Sequence, residues 1–354
     1  MKSLSLQLGL GVVSTLASVH AFYMPAESEL HERTIMAWPG NTHPYYAGHT
    51  GSLSLTLLVS SEQAADAQNR AQHSGQYGVK VTVTDQYDLE PWMRDTAPLF
   101  VFDEEQQSDR YGLDFSFNDW GGRFPSNNDN FARKFLADSR IPLVKAYITA
   151  DGGALEIDGN GTLIAARTPI LDSNRNPSMS QKAIEKELQR VLGVSKVIWI
   201  PGVKNPDVLD DHIDGLARFV APGKIVLSRP TPCSGVWAEA YYEAKRVLSQ
   251  AIDAEGRSFE LIDLPEAPAD NAYMITSYVN FYLVNGAVIS PAFGVPEFDE
   301  AAKDILQNLF PDRKVVQVYI PEIALSDGGI HCMTQQIPAG GKENNPACLK
   351  ADCR

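Results

Sequence analysis

Apolar positions along this chain follow two rhythms, and these succeed one another in a repeating order. Stretches with apolar residues three or four apart, the spacing that lines one face of a helix, precede short Val/Ile-rich runs of strand character. The order occurs five times: 53–77 before VKVTV, 130–138 before VKAYI, 180–192 before KVIWI, 238–254 before FELIDL and 297–309 before KVVQVYI. Three hairpin signatures lie between them, LEIDGNGTLIAA, LARFVAPGKIVLS and FYLVNGAVIS, each with a glycine-containing turn between two apolar runs. The strand starts are about 50 to 65 residues apart, a period that predicts a circular array of ββαβ units in an α/β fold. No long Pro/Ser linker or low-complexity tract interrupts the array. One domain is therefore expected over residues 22–340, followed by a short tail at 341–354.

Residues capable of chemistry recur at matching places in the units. Trp92-Met93-Arg94-Asp95 follows VKVTV, and Asp151-Gly152-Gly153 follows VKAYI. Asp211-His212-Ile213-Asp214 follows KVIWI, and Gly328-Gly329-Ile330-His331-Cys332 follows KVVQVYI. In a ring of similar units, matching positions converge on the axis, so one site built from four distant segments is expected. The unit containing FELIDL brings Ser277, Tyr278 and Asn280 to the same place, with no evident chemical group.

Charge and the termini narrow the class. The 354 residues carry 30 Lys+Arg against 44 Asp+Glu, a net charge of −14. Such a balance disfavours nucleic acid and anionic membranes as partners and mildly favours a cationic substrate. Lys2, the uncharged apolar stretch 4–17 and the small residues Val19 and Ala21 read as a secretion leader cleaved near Ala21. The apolar run is shorter than the roughly 20 residues a bilayer span needs. An amphipathic N-terminal helix is the alternative, but the stretch lacks the periodicity. A secreted, extracellular protein starting near Phe22 is expected. Four cysteines occur; if Cys332 stays a thiol, Cys233, Cys348 and Cys353 can form at most one disulfide within the chain. Asn160-Gly161-Thr162 is a glycosylation sequon in a turn expected to be exposed.

The candidate chemistry is that of a thiolate. Clustered Cys/His spacings of zinc sites and the HEXXH, P-loop and GXGXXG motifs are missing, so neither metal nor cofactor is expected. Cys332 as nucleophile would attack an electron-poor carbon, with His212 donating a proton to the leaving group. A guanidinium presents its N–H groups in a fork that carboxylates accept bidentately, which suits Asp95 and Asp214. A protease triad needs one carboxylate only, so the excess of acids points to positive charge at the reacting carbon. Each residue also has a plain structural reading. Cys332 suits a small core position, His212 a hydrogen-bonded structural role, Asp95 an ion pair with Arg94, and Asp214 a turn cap. His331 is expected to point away from the site, because adjacent strand residues face opposite ways. His43, His49 and His73 show no site spacing.

These residues lie in segments that resemble a known family. From MPAESELHERTIMAWPG onward the chain is similar to the agmatine deiminases and the microbial peptidylarginine deiminases grouped with them. The resemblance runs through EPWMRDTAPLFVF, FNDWGGRFP, DGGALEIDGNGT, LDSNRNPSMS, GVSKVIWIPG, DDHIDGLARFVAPGK, SYVNFYLVNG and DGGIHCMTQQIP, from about residue 24 to 338. It implies the pentein fold, a five-bladed α/β propeller, and hydrolysis of a guanidinium to a ureido group with release of ammonia. It implies that Cys332 forms a covalent adduct, and that His212 protonates the departing ammonia and then activates water. Asp95 and Asp214 would hold the guanidinium nitrogens, and Trp92 would line the substrate channel.

Two departures bear on the substrate. The family typically carries Glu-Gly-Gly where this chain has Asp151-Gly152-Gly153, which keeps a carboxylate one methylene shorter. It also typically has an acid four residues before the histidine and a glycine directly before it, where this chain has Val208 and Asp211. Together with the leader, these changes favour peptidyl- or free arginine over agmatine. Asp210 and Asp211 remain as charges that could receive agmatine's ammonium. An inactive secreted binding protein of the same fold, and an amidinotransferase, are the readings from other classes.

Overall fold

The computed structural model describes residues 21–38, 55–73, 79–84, 89–105, 109–126, 130–202, 212–231, 236–269, 274–326 and 328–340. Residues 1–20 of the leader, the tail at 341–354, His43, His49, Val208, Asp210, Asp211, Cys233, Cys348 and Cys353 lie outside the described residues.

The described strands form five small sheets in a mixed α/β arrangement. Three follow one plan, an antiparallel hairpin, a helix, and a third strand parallel to the second. Leu155–Ile157 and Thr162–Ala166 are joined through helix Gln181–Leu192 to Lys196–Ile200. Ala217–Ala221 and Lys224–Arg229 are joined through Val236–Gln250 to Glu260–Pro265. Tyr282–Val284 and Ala287–Ala292 are joined through Pro296–Leu309 to Lys314–Tyr319. In the fourth sheet Leu99–Asp103, Arg110–Asp114 and Leu143–Lys145 follow the plan through helix Phe131–Ser139, and Phe22–Tyr23 adds an outer strand. The fifth joins the two ends of the domain: Gln335–Pro338 pairs antiparallel with His31–Ala37, followed by Leu55–Val59 and Val79–Val83 in parallel. The three expected hairpins and the sequon's exposed turn at Asn160 are all present.

The helices dock as their apolar spacing requires. In Gln181–Leu192 the Ser180 hydroxyl accepts from the Ala183 amide at 3.2 Å, while Ile184, Leu188, Val191 and Leu192 are buried. Each such side chain removed from water contributes about 1.5–3 kcal/mol, far more than the helix gains from propensity.

Three expectations are corrected. The stretch 53–77 is not one helix: Leu55–Val59 is a strand with all five residues buried, and the helix is Ala64–His73. LTLLV is a continuous apolar run, which periodicity alone cannot assign; parallel partners on both edges make it a central strand. VKAYI is strand only as far as Lys145. After one more backbone bond, from the Ala146 amide to the Asp114 carbonyl at 3.0 Å, side chains take over, Glu187 accepting from the Tyr147 amide at 2.7 Å and Asn176 from the Thr149 amide at 2.9 Å. The helix expected to reach 254 also ends earlier, at Gln250.

Candidate active site

The same place in every sheet carries the site, namely the turn just before its first hairpin strand. Met93–Thr96 precedes Leu99–Asp103, Gly152–Ala154 precedes Leu155–Ile157, and Ile213–Gly215 precedes Ala217–Ala221. Asn280 precedes Tyr282–Val284, and Cys332 precedes Gln335–Pro338. Turns are joined across sheets, as where the Arg94 amide donates to the Cys332 carbonyl at 3.0 Å. The structure thus brings together Asp95, Asp151, His212, Asp214 and Cys332.

Gly153 lies at the centre of this group. A Cβ placed there would stand 2.6 Å from His212 Nδ1, 3.1 Å from Asp95 Oδ1 and 3.2 Å from Asp214 Oδ2. Any side chain at this position would fill the space between the acids. Gly153 also donates its amide to Asp95 Oδ1 at 2.8 Å, and the Trp120 indole donates to Asp95 Oδ2 at 3.0 Å. Asp95 is therefore buried with one donor on each oxygen, leaving further acceptor capacity on both. Trp120 reaches it from a strained loop in which Asp119 and Trp120 have φ of 57° and 52°, conformations that cost non-glycine residues about 1–3 kcal/mol each. Asn118 Oδ1, accepting from the Gly121 amide, helps hold that loop.

Asp151 is fully buried. Its Oδ2 accepts from Arg175 at 2.6 Å and lies 3.2 Å from His212 Nε2, while its Oδ1 is buried with no partner among the described residues. The other ring nitrogen of His212 lies 3.7 Å from Asp95 Oδ2. The Arg94–Asp95 pair considered from sequence is not formed, since Arg94 turns away to Glu27.

Cys332 is a partly buried free thiol, 3.5 Å from Asp214 Oδ2 and 3.2 Å from Asn280 Nδ2. Asn280 Oδ1 meanwhile accepts from the His331 amide at 2.9 Å. The unit containing FELIDL, expected to bring no chemical group, therefore supplies a direct contact to the thiol. Ser277 supports it by donating to the Gly215 carbonyl, whereas Tyr278 points away to Asp299. His331 also departs from expectation. Residues 330–333 form a turn rather than a strand, so alternation does not apply, and His331 Nδ1 contacts Asp214 Oδ2 at 2.7 Å. Trp92 is half-buried, its ring packed over Gly328, where a Cβ would lie 2.0 Å from it.

Electrostatics divide the acids. Burial raises the Asp95 carboxyl, and Asp151 and Asp214 add to this while His212 opposes it; the net shift is upward. Burial also works against ionised Asp151 and Asp214. It is overcome by His212 and Arg175 at Asp151 and by His331 and His212 at Asp214, and both lie below their ordinary value. For His212, burial alone would discharge the ring, but Asp95, Asp151 and Asp214 push it up to about 10. Burial, then the charges of Asp214 and Asp95, drive the Cys332 thiol well above its ordinary value. At neutral pH the site therefore holds a protonated thiol and an imidazolium.

A sign follows for chemical modification. The thiolate is the reactive form, so alkylation of Cys332 by neutral 2-chloroacetamide should be slow at pH 7.5 and still rising at pH 9. Peptide mass spectrometry reads the rate at Cys332 itself; a half-maximal rate below pH 8 would contradict the electrostatics described here.

A model of the Porphyromonas-type peptidyl-arginine deiminase matches residues 23–338, a span that takes in every segment of the site. The chain belongs to that family. It is 33% identical to agmatine deiminase of Medicago truncatula over 90% of this chain and 97% of the relative. It is also 33% identical to agmatine deiminase of Pseudomonas aeruginosa, covering 91% and 96%. The solved agmatine deiminase of Enterococcus faecalis superposes with a TM-score of 0.79 at 27% identity, over 90% of this chain and 96% of that one. Family resemblance and chemistry led to Asp95, Asp151, His212, Asp214 and Cys332. Trp120, Arg175, Asn280 and His331 lie in segments that carry the resemblance, but nothing in their residue types announced contact with the reacting groups. Glu27, in MPAESELHE, was equally silent.

Proposed function

We propose that this protein hydrolyses a guanidinium to a ureido group with release of ammonia, through a covalent adduct on Cys332. The observation that carries this is the convergence of three buried acids, a histidine and one thiol around Gly153. A guanidinium docked between Asp95 and Asp214 would set its cationic carbon beside Sγ. Its positive charge would oppose the two carboxylate charges that hold the thiol protonated, so substrate binding itself favours the thiolate, the thiol proton passing to solvent because His212 is already an imidazolium. Sγ then bonds to the guanidinium carbon, and a C–N bond breaks. The nitrogen leaves as ammonia with a proton from the His212 imidazolium. Neutral His212 next takes a proton from water, whose oxygen bonds to the same carbon and expels Cys332, giving the ureido product. Asp151 orients the ring through Nε2 and is itself held by Arg175. A hydrolase acting on the C–N bond of a guanidine is the class that follows, and the two deiminases among its relatives by sequence agree with it. The inactive binding protein is not favoured, because the nucleophile and its partners are all present.

Peptidyl- or free arginine is the first reading of the substrate. It is supported by the family model, by Asp151 in place of glutamate and by the changes at Val208 and Asp211. Agmatine is the second, supported by the names of the curated relatives. An agmatine channel has to satisfy a terminal ammonium with a carboxylate or several acceptors, whereas a peptidyl channel receives a neutral backbone. The test is ureido formation from an N-acylated arginine amide, free arginine and agmatine measured side by side. We expect kcat/KM for the amide at least equal to that for agmatine. A preference for agmatine above about tenfold, roughly 1.4 kcal/mol at the transition state, would assign the second reading. We further read the five sheets as the blades of a pentein propeller, since their shared plan and joined termini fit a closed ring. The leader at 1–21 supports an exported enzyme.

A further inference from the structure

Beneath the candidate site lies a second layer of charge that the chemistry above does not use. Arg94 directly precedes Asp95 in the chain, His331 adjoins Cys332, Arg218 lies shortly after Asp214, and Glu156 shortly after Asp151. The side chains of Arg94, His331 and Arg218 converge on Glu27, and Glu156 joins them through Arg218. Glu27 Oε2 accepts from His331 Nε2 at 2.7 Å and from Arg94 at 3.2 Å. Its Oε1 accepts from Arg218 and from the Leu283 amide, each at 2.9 Å. Arg218 also donates to Glu156 at 2.7 Å and to the Phe281 carbonyl at 2.9 Å. Every member is nearly inaccessible, Arg218 at 0% and Glu27 at 8% of the side chain exposed.

We propose that Glu27 is a positioning residue for the active site, acting through His331 to fix the Asp214 carboxylate. The inference rests on the reading of Asp214 as a guanidinium ligand. His331 spans two carboxylates, 2.7 Å from Glu27 on one side and 2.7 Å from Asp214 on the other. Ionised carboxylates only accept, so the ring donates from both nitrogens and its plane is set by both acids. Asp214 is thereby aimed from behind, as a ligating group is aimed by the partners of its own ligands. Arg94 reinforces the arrangement. It takes Glu27 with one nitrogen and Gln336 with another at 2.8 Å, while its amide holds the Cys332 carbonyl. The N-terminal segment thus ties the nucleophile's turn and the Asp214 carboxylate to one group. The three acids Glu27, Glu156 and Asp214 are balanced by Arg94, Arg218 and His331. Buried networks of this kind give little net stability over apolar packing, so holding the geometry of the site is the use that its location supports.

The test compares two probes of one shape, cationic 2-chloroacetamidine and neutral 2-chloroacetamide. Both alkylate Cys332 by the same step, in which Sγ bonds to the methylene carbon and chloride leaves. The ratio of their rates cancels any change in thiolate fraction and reads how well the acids receive the cationic fork. We expect wild-type protein to favour the amidine at least tenfold, and Asp214→Asn to abolish most of that preference. Glu27→Gln should lower the ratio at least fivefold while the chloroacetamide rate stays within about twofold. His331→Gln, which withdraws the donor toward Asp214, should do the same, and Glu27→Asp should restore part of the preference. If Asp214→Asn keeps the wild-type ratio, the reading of Asp214 is wrong. If Asp214→Asn loses it but folded Glu27→Gln and His331→Gln keep it, only the positioning role is overturned. Should Glu27→Gln not fold, His331→Gln decides alone. Failure of all three variants to fold would assign the network to stability and likewise overturn the proposal.

Discussion

Cys332→Ala is expected to abolish ureido formation while the protein remains folded. Removing the nucleophile of a covalent catalyst costs on the order of 10⁶ in kcat where the residues act as a unit. Among the described residues nothing else in contact with the thiol can replace it, because Asn280 is an amide and Asp214 is a carboxylate held by His331. The structural cost is small. Cys332 is only partly buried, and its Sγ has polar neighbours at 3.2 and 3.5 Å, so losing the sulfur should cost about 1 kcal/mol or less. A domain this large then shifts in Tm by roughly 2–4 °C at most. Measurable turnover in a folded Cys332→Ala protein would remove the covalent mechanism altogether.

The second large effect concerns the guanidinium acids. Asp95→Asn and Asp214→Asn should each lower kcat/KM by two decades or more. A charge-assisted hydrogen bond contributes about 1.5–3 kcal/mol, equivalent to roughly one to two decades, and misalignment adds to the loss. At Asp95 the amide brings a further conflict. The Gly153 amide and the Trp120 indole donate to its two oxygens, so an asparagine NH2 must face one of these donors. An opposite change should accompany the loss at Asp214. Its charge is one of the causes that raise the Cys332 thiol, so Asp214→Asn should react faster with neutral chloroacetamide at pH 8. Lower turnover together with a more reactive thiol at unchanged Tm separates this role from general damage to the fold, which would bare the thiol only as Tm falls. Retention of near-normal kcat/KM in both variants would mean the guanidinium binds elsewhere.

The legible part of the site shares one property: its residues are of types that chemistry requires. Cys332, His212, Asp95, Asp214 and Asp151 can be proposed because a thiolate, a proton carrier and paired carboxylates are needed together. Asn280, Trp120, Arg175 and Glu27 are residue types with many ordinary uses. They matter because an amide reaches Sγ, an indole reaches Asp95, a guanidinium reaches Asp151, and a carboxylate collects His331, Arg94 and Arg218. Their partners lie up to 304 residues away along the chain, a separation that no local pattern encodes. His331 shows the failure most directly, since strand alternation was applied to four residues that form a turn.

By itself the sequence determined the repeating hairpin, helix and strand order, because apolar periodicity is a local consequence of which face each element buries. It also determined the cast of reactive groups, through residue type and a matching place in successive units. Only the tertiary structure decided that LTLLV is a central strand, that Asp119 and Trp120 hold strained backbone to reach Asp95, and that Glu27 underlies the whole site. Those outcomes depend on hydrogen bonds and charges meeting in a water-poor interior. There each buried donor and acceptor has to be matched by whatever group the fold places within about 3 Å.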